Sequence, residues 1–184
     1  MKRMAVDVGK LIQKAHNAVE RRNYGLAIIS YIQALTFQPE NIDAREKLRA
    51  CQARAVHEAG THPVVGTLKA IWPLLKAYIF ATTGKHEEAI LQCENALTAN
   101  PALKAAMKRL AASAVQLEWY EVACWQYNEI IQKHDPDDVG AMYELVDALR
   151  EIGRVDEAIK LCDDIRELDP SGEIDSLVRE LAAN

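Results

Sequence analysis

The block Val155-Asp156-Glu157-Ala158-Ile159-Lys160-Leu161-Cys162-Asp163-Asp164-Ile165-Arg166 is one of four near-copies in this chain. Two others are Tyr24-Gly25-Leu26-Ala27-Ile28-Ile29-Ser30-Tyr31-Ile32-Gln33-Ala34-Leu35 and His86-Glu87-Glu88-Ala89-Ile90-Leu91-Gln92-Cys93-Glu94-Asn95-Ala96-Leu97. A looser one runs Tyr120-Glu121-Val122-Ala123-Cys124-Trp125-Gln126-Tyr127-Asn128-Glu129-Ile130-Ile131. Their alanines Ala27, Ala89, Ala123 and Ala158 are 62, 34 and 35 residues apart, and each copy is followed by a proline: Pro39, Pro101, Pro136 and Pro170. Self-similarity at such a period marks a stack of identical supersecondary units, none of which can bury its apolar face alone.

Composition agrees. The 184 residues hold 28 alanines but only 8 glycines and 6 prolines, with 6% aromatics. That mix favours helices and argues against collagen-like, low-complexity and mainly β folds. The cysteines Cys51, Cys93, Cys124 and Cys162 are far apart in sequence, so no CxxC pair exists and reduced, buried thiols are expected. The N-terminus shows no apolar signal stretch, which makes cytoplasmic the expected location. The net charge of −5 is unevenly spread. Residues 1–54 hold ten Lys/Arg and five Asp/Glu, whereas residues 135–184 hold five and fifteen. Basic residues without interleaved aromatics, in an acidic chain, speak against nucleic-acid binding.

The repeats resemble the tetratricopeptide repeat family, whose 34-residue unit is a pair of antiparallel helices. Val139 to Gly172 fits best, with Met142, Leu145, Val146, Leu149, Gly153, Ala158, Cys162, Ile165 and Pro170 in register. The resemblance implies an all-α, right-handed α-solenoid of helix-turn-helix repeats with capping helices. We read residues 1–58 as a first repeat (8–41) plus a closing helix (42–58), and 59–67 as a linker. Residues 68–184 then hold three repeats (70–103, 104–138, 139–172) and a C-terminal capping helix (173–183). Small residues at paired positions, such as Ala15 with Ala27 and Ala77 with Ala89, allow close helix approach. Gly84 and Gly153 stand where a helix must end in a left-handed residue, and Asn23 takes that place in the first unit. Asn100-Pro101 reads as a cap and first helical position, and Asp137 and Asp138 as caps for the next helix. In the helix after residue 42, Ala44, Leu48, Cys51 and Ala55 share one face, leaving Arg45, Lys47, Arg49 and Arg54 for solvent.

No catalytic constellation emerges. The histidines His16, His57, His62, His86 and His134 include no pair at the i, i+4 spacing of a helical metal site. Glu87-Glu88 and Asp137-Asp138 sit at helix starts, where carboxylates complement the dipole. Cys93 and Cys162 fall at core positions. We therefore expect neither enzyme activity nor cofactor nor metal.

The resemblance implies instead that first helices line a concave groove for a peptide or helix of a partner protein. Its groove positions correspond here to His16, Tyr78, Lys108, Arg109, Tyr143, Asp147 and Arg150. The family's carboxylate clamp for heat-shock chaperone peptides is not matched: its positions hold Leu74, Tyr78, Arg109, Gly140 and Glu144. A non-catalytic scaffold or adaptor is the expected function. Alternatives are a self-associating assembly protein and a chaperone for an apolar client segment.

Val64 to Thr83 is strongly apolar but carries Lys69, Pro73 and Lys76. Two lysines there would each cost roughly 2.5–3.5 kcal/mol near a bilayer centre, so a soluble helix is expected rather than a membrane span. Its aromatic and aliphatic residues exceed what one packed face hides. Trp72, Leu75, Ile79 and Phe80 are either buried between the two halves, a homodimer seam, or a site left open where the repeat is interrupted.

Overall fold

The computed structural model describes residues 7–170 and 173–183. These form ten α-helices, and no strand occurs among the described residues. In order they are α1 (Val8–Glu20), α2 (Tyr24–Phe37), α3 (Ile42–Glu58), α4 (Pro63–Thr82) and α5 (His86–Ala99). Then follow α6 (Lys104–Gln116), α7 (Tyr120–Lys133), α8 (Val139–Glu151), α9 (Val155–Leu168) and α10 (Glu173–Ala183). The chain divides into two compact units, residues 1–106 and 107–184, with the boundary inside α6.

In the first unit α1 pairs with α2, α2 packs on α3, and α4 pairs with α5, which also touches α3 and α2. In the second, α7, α8, α9 and α10 pack successively. The alanines of the repeated block sit where the backbones come closest: Ala27, Ala89, Ala123 and Ala158 are all fully buried, as are Ala15 and Ala77. A helix can approach another to the short end of the 8–10 Å range only where no larger side chain intervenes. All four cysteines are buried, and none is in a disulfide.

The turns obey the same economy. Gly84 and Gly153 take φ of 74° and 73° after α4 and α8, so the helix ends in the left-handed region that glycine enters without a Cβ clash. Two turns lack glycine, and there Arg22 and Glu118 adopt φ of 56° and 60°. Asn23, expected as the left-handed residue, is instead the N-cap of α2, its carbonyl accepting from the Leu26 amide at 3.1 Å. Asp138 caps α8 by accepting from the Ala141 amide at 3.0 Å. Asn100-Pro101 does not open a helix; Asn100 ends α5, and α6 begins only at Lys104.

Two further differences concern the interruption of the repeat. Helix resumes at Pro63, so Pro63 to Thr67, read from sequence as linker, belong to α4. Gly66 is no obstacle there: a Cβ at this residue would lie 2.6 Å from the Ala99 carbonyl oxygen, so its bareness seats α4 on the end of α5. And α3 is not a capping helix with a solvated polar side. Arg45 is 1% and Arg49 8% exposed, because α5 covers them and presents Glu94, itself 3% exposed.

Candidate functional site

The first unit contains a hollow of about 390 Å³ between α1 and α3. His16, Val19 and Glu20 form one wall, and Lys47, Ala50, Cys51 and Arg54 the other. Tyr31 of α2 closes the floor. The His16 ring lies tilted over it, centroids 6.0 Å apart at 59°. The hollow follows from the packing: α1 and α3 both pack on α2, whose Ala27 and Ala34 are buried between them.

The floor is chemically quiet. Burial, with Cys51 and Asp43 nearby, pushes the Tyr31 hydroxyl up to about 12, and burial also raises the Cys51 thiol despite Arg54. Both remain protonated at neutral pH, so neither serves as a nucleophile or base. The rim carries charge of both signs: Glu20, Arg54, and Lys47, which bonds Asp43 at 2.7 Å. Such a surface can seat a side chain or turn of a peptide on an aromatic base and orient it by its polar edge. Among the described residues, no group of three or more His, Cys, Asp or Glu is placed to hold a metal ion.

In the second unit the groove positions are occupied with one another. Lys108 reaches the Asp138 carboxylate at 2.7 Å, clipping α6 to the start of α8. Arg150 lies 3.3 Å from Asp147, 3.8 Å from Glu151 and 3.7 Å from Glu180 of α10. Arg109 and Tyr143 are half-buried. The Tyr127 hydroxyl lies 3.5 Å from Glu144. Burial and that carboxylate raise the Tyr127 pKa. Cations expected to await a ligand therefore also hold this unit together.

Tyr78 is elsewhere, on α4. That helix buries Gly66, Ala70 and Ala77 and turns its other side outward. Trp72 is 62% exposed, Leu68 63%, and Val64, Val65, Ile71, Leu75, Tyr78 and Ile79 are exposed with them. Lys76 holds its ammonium 5.4 Å from the Trp72 ring centroid. Burial of this stretch, one of the expected outcomes, is thus not observed; only Phe80, half-buried, leaves the exposed group.

His16, a groove residue expected from the sequence, lines this hollow beside Tyr31, Lys47, Cys51 and Arg54, which the sequence does not single out as groove residues. Tyr31 read as core, which it is, and Cys51 and Arg54 were placed on the inner and outer faces of a terminal helix. That Lys47, Cys51 and Arg54 recur every three to four residues was the available signal that they share a wall.

Comparison with known proteins places this architecture. Residues 74–103 and 127–183 match family models described as tetratricopeptide repeat. No curated protein matches the sequence significantly. Similar solved structures include the first TPR of Spaghetti (RPAP3) bound to the HSP90 peptide SRMEEVD, with a TM-score of 0.56 and 21% identity over 64% of this chain and 95% of that one. The TPR2AB domain of yeast Sti1, in complex with an HSP90 peptide, gives 0.59 and 20%, over 95% of this chain and 69% of that one. MamA gives 0.53 and 17%, over 90% and 93%. At these identities the likeness is one of fold. The helical hairpins, their small-residue seams and the hollow between first helices define a repeat protein built to present surface. Residues 74–103 and 127–183 thus carry tetratricopeptide repeats.

Proposed function

We propose that this chain is a non-catalytic adaptor that binds a peptide or helix of a partner protein in the hollow between α1 and α3. The observation that carries this reading is the hollow itself: preformed, floored by Tyr31 with the His16 ring tilted over it, and rimmed by Glu20, Lys47 and Arg54. A preformed site spares the ligand the cost of ordering its receptor. Two similar structures hold HSP90 peptides, which supports a peptide-like partner. The carboxylate-clamp positions are not matched here, so the ligand differs from those peptides in its terminal chemistry. Four buried thiols outside any disulfide suit a reducing compartment, the cytoplasm.

The test is affinity purification with the wild-type chain and with a His16→Ala, Arg54→Glu variant whose circular dichroism is unchanged. Proteins bound through the hollow should be lost from the variant; recovery of the same proteins in the same amounts would defeat the assignment.

A further inference from the structure

We propose that α4 is a self-association helix, pairing in parallel with α4 of a second copy to make a two-fold dimer. Its exposed side is more than generally apolar. Val65, Leu68, Trp72, Leu75 and Ile79 follow one another at steps of three, four, three and four, the alternation of a two-stranded coiled-coil seam. Val65, Trp72 and Ile79 occupy the first position of each heptad and Leu68 and Leu75 the fourth. β-Branched Val65 and Ile79 at the former with leucine at the latter favour two parallel strands, and Trp72 fills the centre of the seam. Val64, Ile71 and Tyr78 recur every seven residues along one edge and widen the strip.

Exposure and charge identify the occupant. The strip gathers eight large hydrophobics, each 39–63% exposed, into one contiguous apolar surface of the kind that marks an interaction site. The other exposed large hydrophobics among the described residues, Ile29, Phe37, Leu91 and Leu168, are scattered over three helices. A second copy thus offers one matching surface, the same helix, and an isologous contact follows. The α4 helix contains no acidic residue; its two charges, Lys69 and Lys76, lie on the edge opposite Val64, Ile71 and Tyr78. In a parallel pair that edge faces the partner's apolar edge rather than its lysines, so the stems of Lys69 and Lys76 cover Val64 and Ile71 of the second copy while the ammonium groups reach water. An antiparallel pair would bring the lysines together. Pro73 sits on the α5 side, away from the seam.

The inference is independent of the α1/α3 hollow, which a monomer would retain. It is tested by analytical ultracentrifugation of the whole chain at ~100 µM, above the micromolar end spanned by standard-size interfaces. The wild type should sediment as a dimer and remain one in about 1 M salt, where charge contacts are screened beyond ~3 Å. Trp72→Glu, and the milder Trp72→Ala should the first misfold, should weaken association by at least ~30-fold with helicity unchanged. Leu68→Cys and Leu75→Cys should each form a disulfide with its own counterpart on mild oxidation, as parallel pairing requires and antiparallel pairing forbids. A monomeric wild type, a dimer that dissolves in salt or survives Trp72→Ala, or failure of both cysteine variants to cross-link would overturn the proposal. So would a monomer that floats with phosphatidylserine vesicles, or one that instead binds an acid-flanked synthetic helix.

Discussion

The junction of α3 with α5 and the succession α7, α8, α9 solve one problem by opposite means. Where the repeat is regular, helices meet through Ala123, Ala141, Ala148 and Ala158, and carboxylates stay at the surface or at its edge. Where it is interrupted, α3 meets α5 across charge. Glu94 accepts hydrogen bonds from both Arg45 and Arg49, and Gln52 donates to the Glu94 backbone carbonyl at 3.2 Å and to Thr98 at 3.0 Å. Arg45 also donates to the Pro39 carbonyl at 2.7 Å. Apolar seams tolerate many partners of similar shape, whereas a buried ionic junction accepts one, because any other leaves a charge unpaired in low dielectric. The interruption has therefore been given the more selective contact.

Removing the shared anion should have the largest effect. Glu94→Ala would strand two buried guanidinium groups and cost about 3–5 kcal/mol in urea unfolding. Glu167→Ala, at an exposed carboxylate of the second unit, should stay within about 0.5 kcal/mol. Replacing Arg45, Arg49 and Glu94 together by Met or Leu should recover most of the loss, since an apolar core of similar volume is often neutral or better. If it does not, selectivity is not what the cluster supplies.

Overpacking probes the other side of the comparison. Ala158→Leu should cost about 1–3 kcal/mol by forcing α8 from α9. Gly66→Ala should fall in the same range, because the added Cβ meets backbone, the Ala99 carbonyl, rather than a side chain that can rotate. Thermal melts of the two variants would show whether the interrupted region yields more readily than the regular one.

Acid should discriminate as well. Burial acts to raise the Glu94 pKa, but Arg49 and Arg45 more than offset it, and the folded value lies below the ordinary carboxylate range. Its contribution is then complete above the unfolded value near 4.5 and is lost as pH falls through the folded one. Urea midpoints measured downward from pH 6 should fall more steeply for wild type than for Glu94→Gln, and equal slopes would contradict the assignment. The smallest expected effect is a gain. Glu118→Gly relieves a left-handed residue at about 1–2 kcal/mol against a glycine entropy cost of roughly 0.5–1, so a rise of a few degrees at most in the melting temperature should appear.

Much of this fold was legible. The recurring alanines, Gly84, Gly153 and Asp138 carry their meaning locally, since a close approach, a left-handed turn and a cap are each set by a residue and its near neighbours. The ionic junction was not, because Glu94 lies 45 and 49 residues from its arginines. Arg45, Arg49 and Gln52 do form a stripe at i, i+4 and i+7, but a polar stripe reads as a wetted face unless the covering helix is known. The outward side of α4 was undecided for the same reason: its pattern shows which residues align, not whether another element lies over them. Of the groove residues, Lys108 and Arg150 were placed on the right helices, yet their partners Asp138 and Glu180 come from elements whose approach the sequence did not specify.

The reach of Glu94 bears on synthesis. A chain still emerging from the ribosome completes α1, α2 and α3 long before α5 exists, and over that interval Arg45 and Arg49 have no anion to turn towards. The first three helices can gather but not lock, and the lock closes when residue 94 arrives.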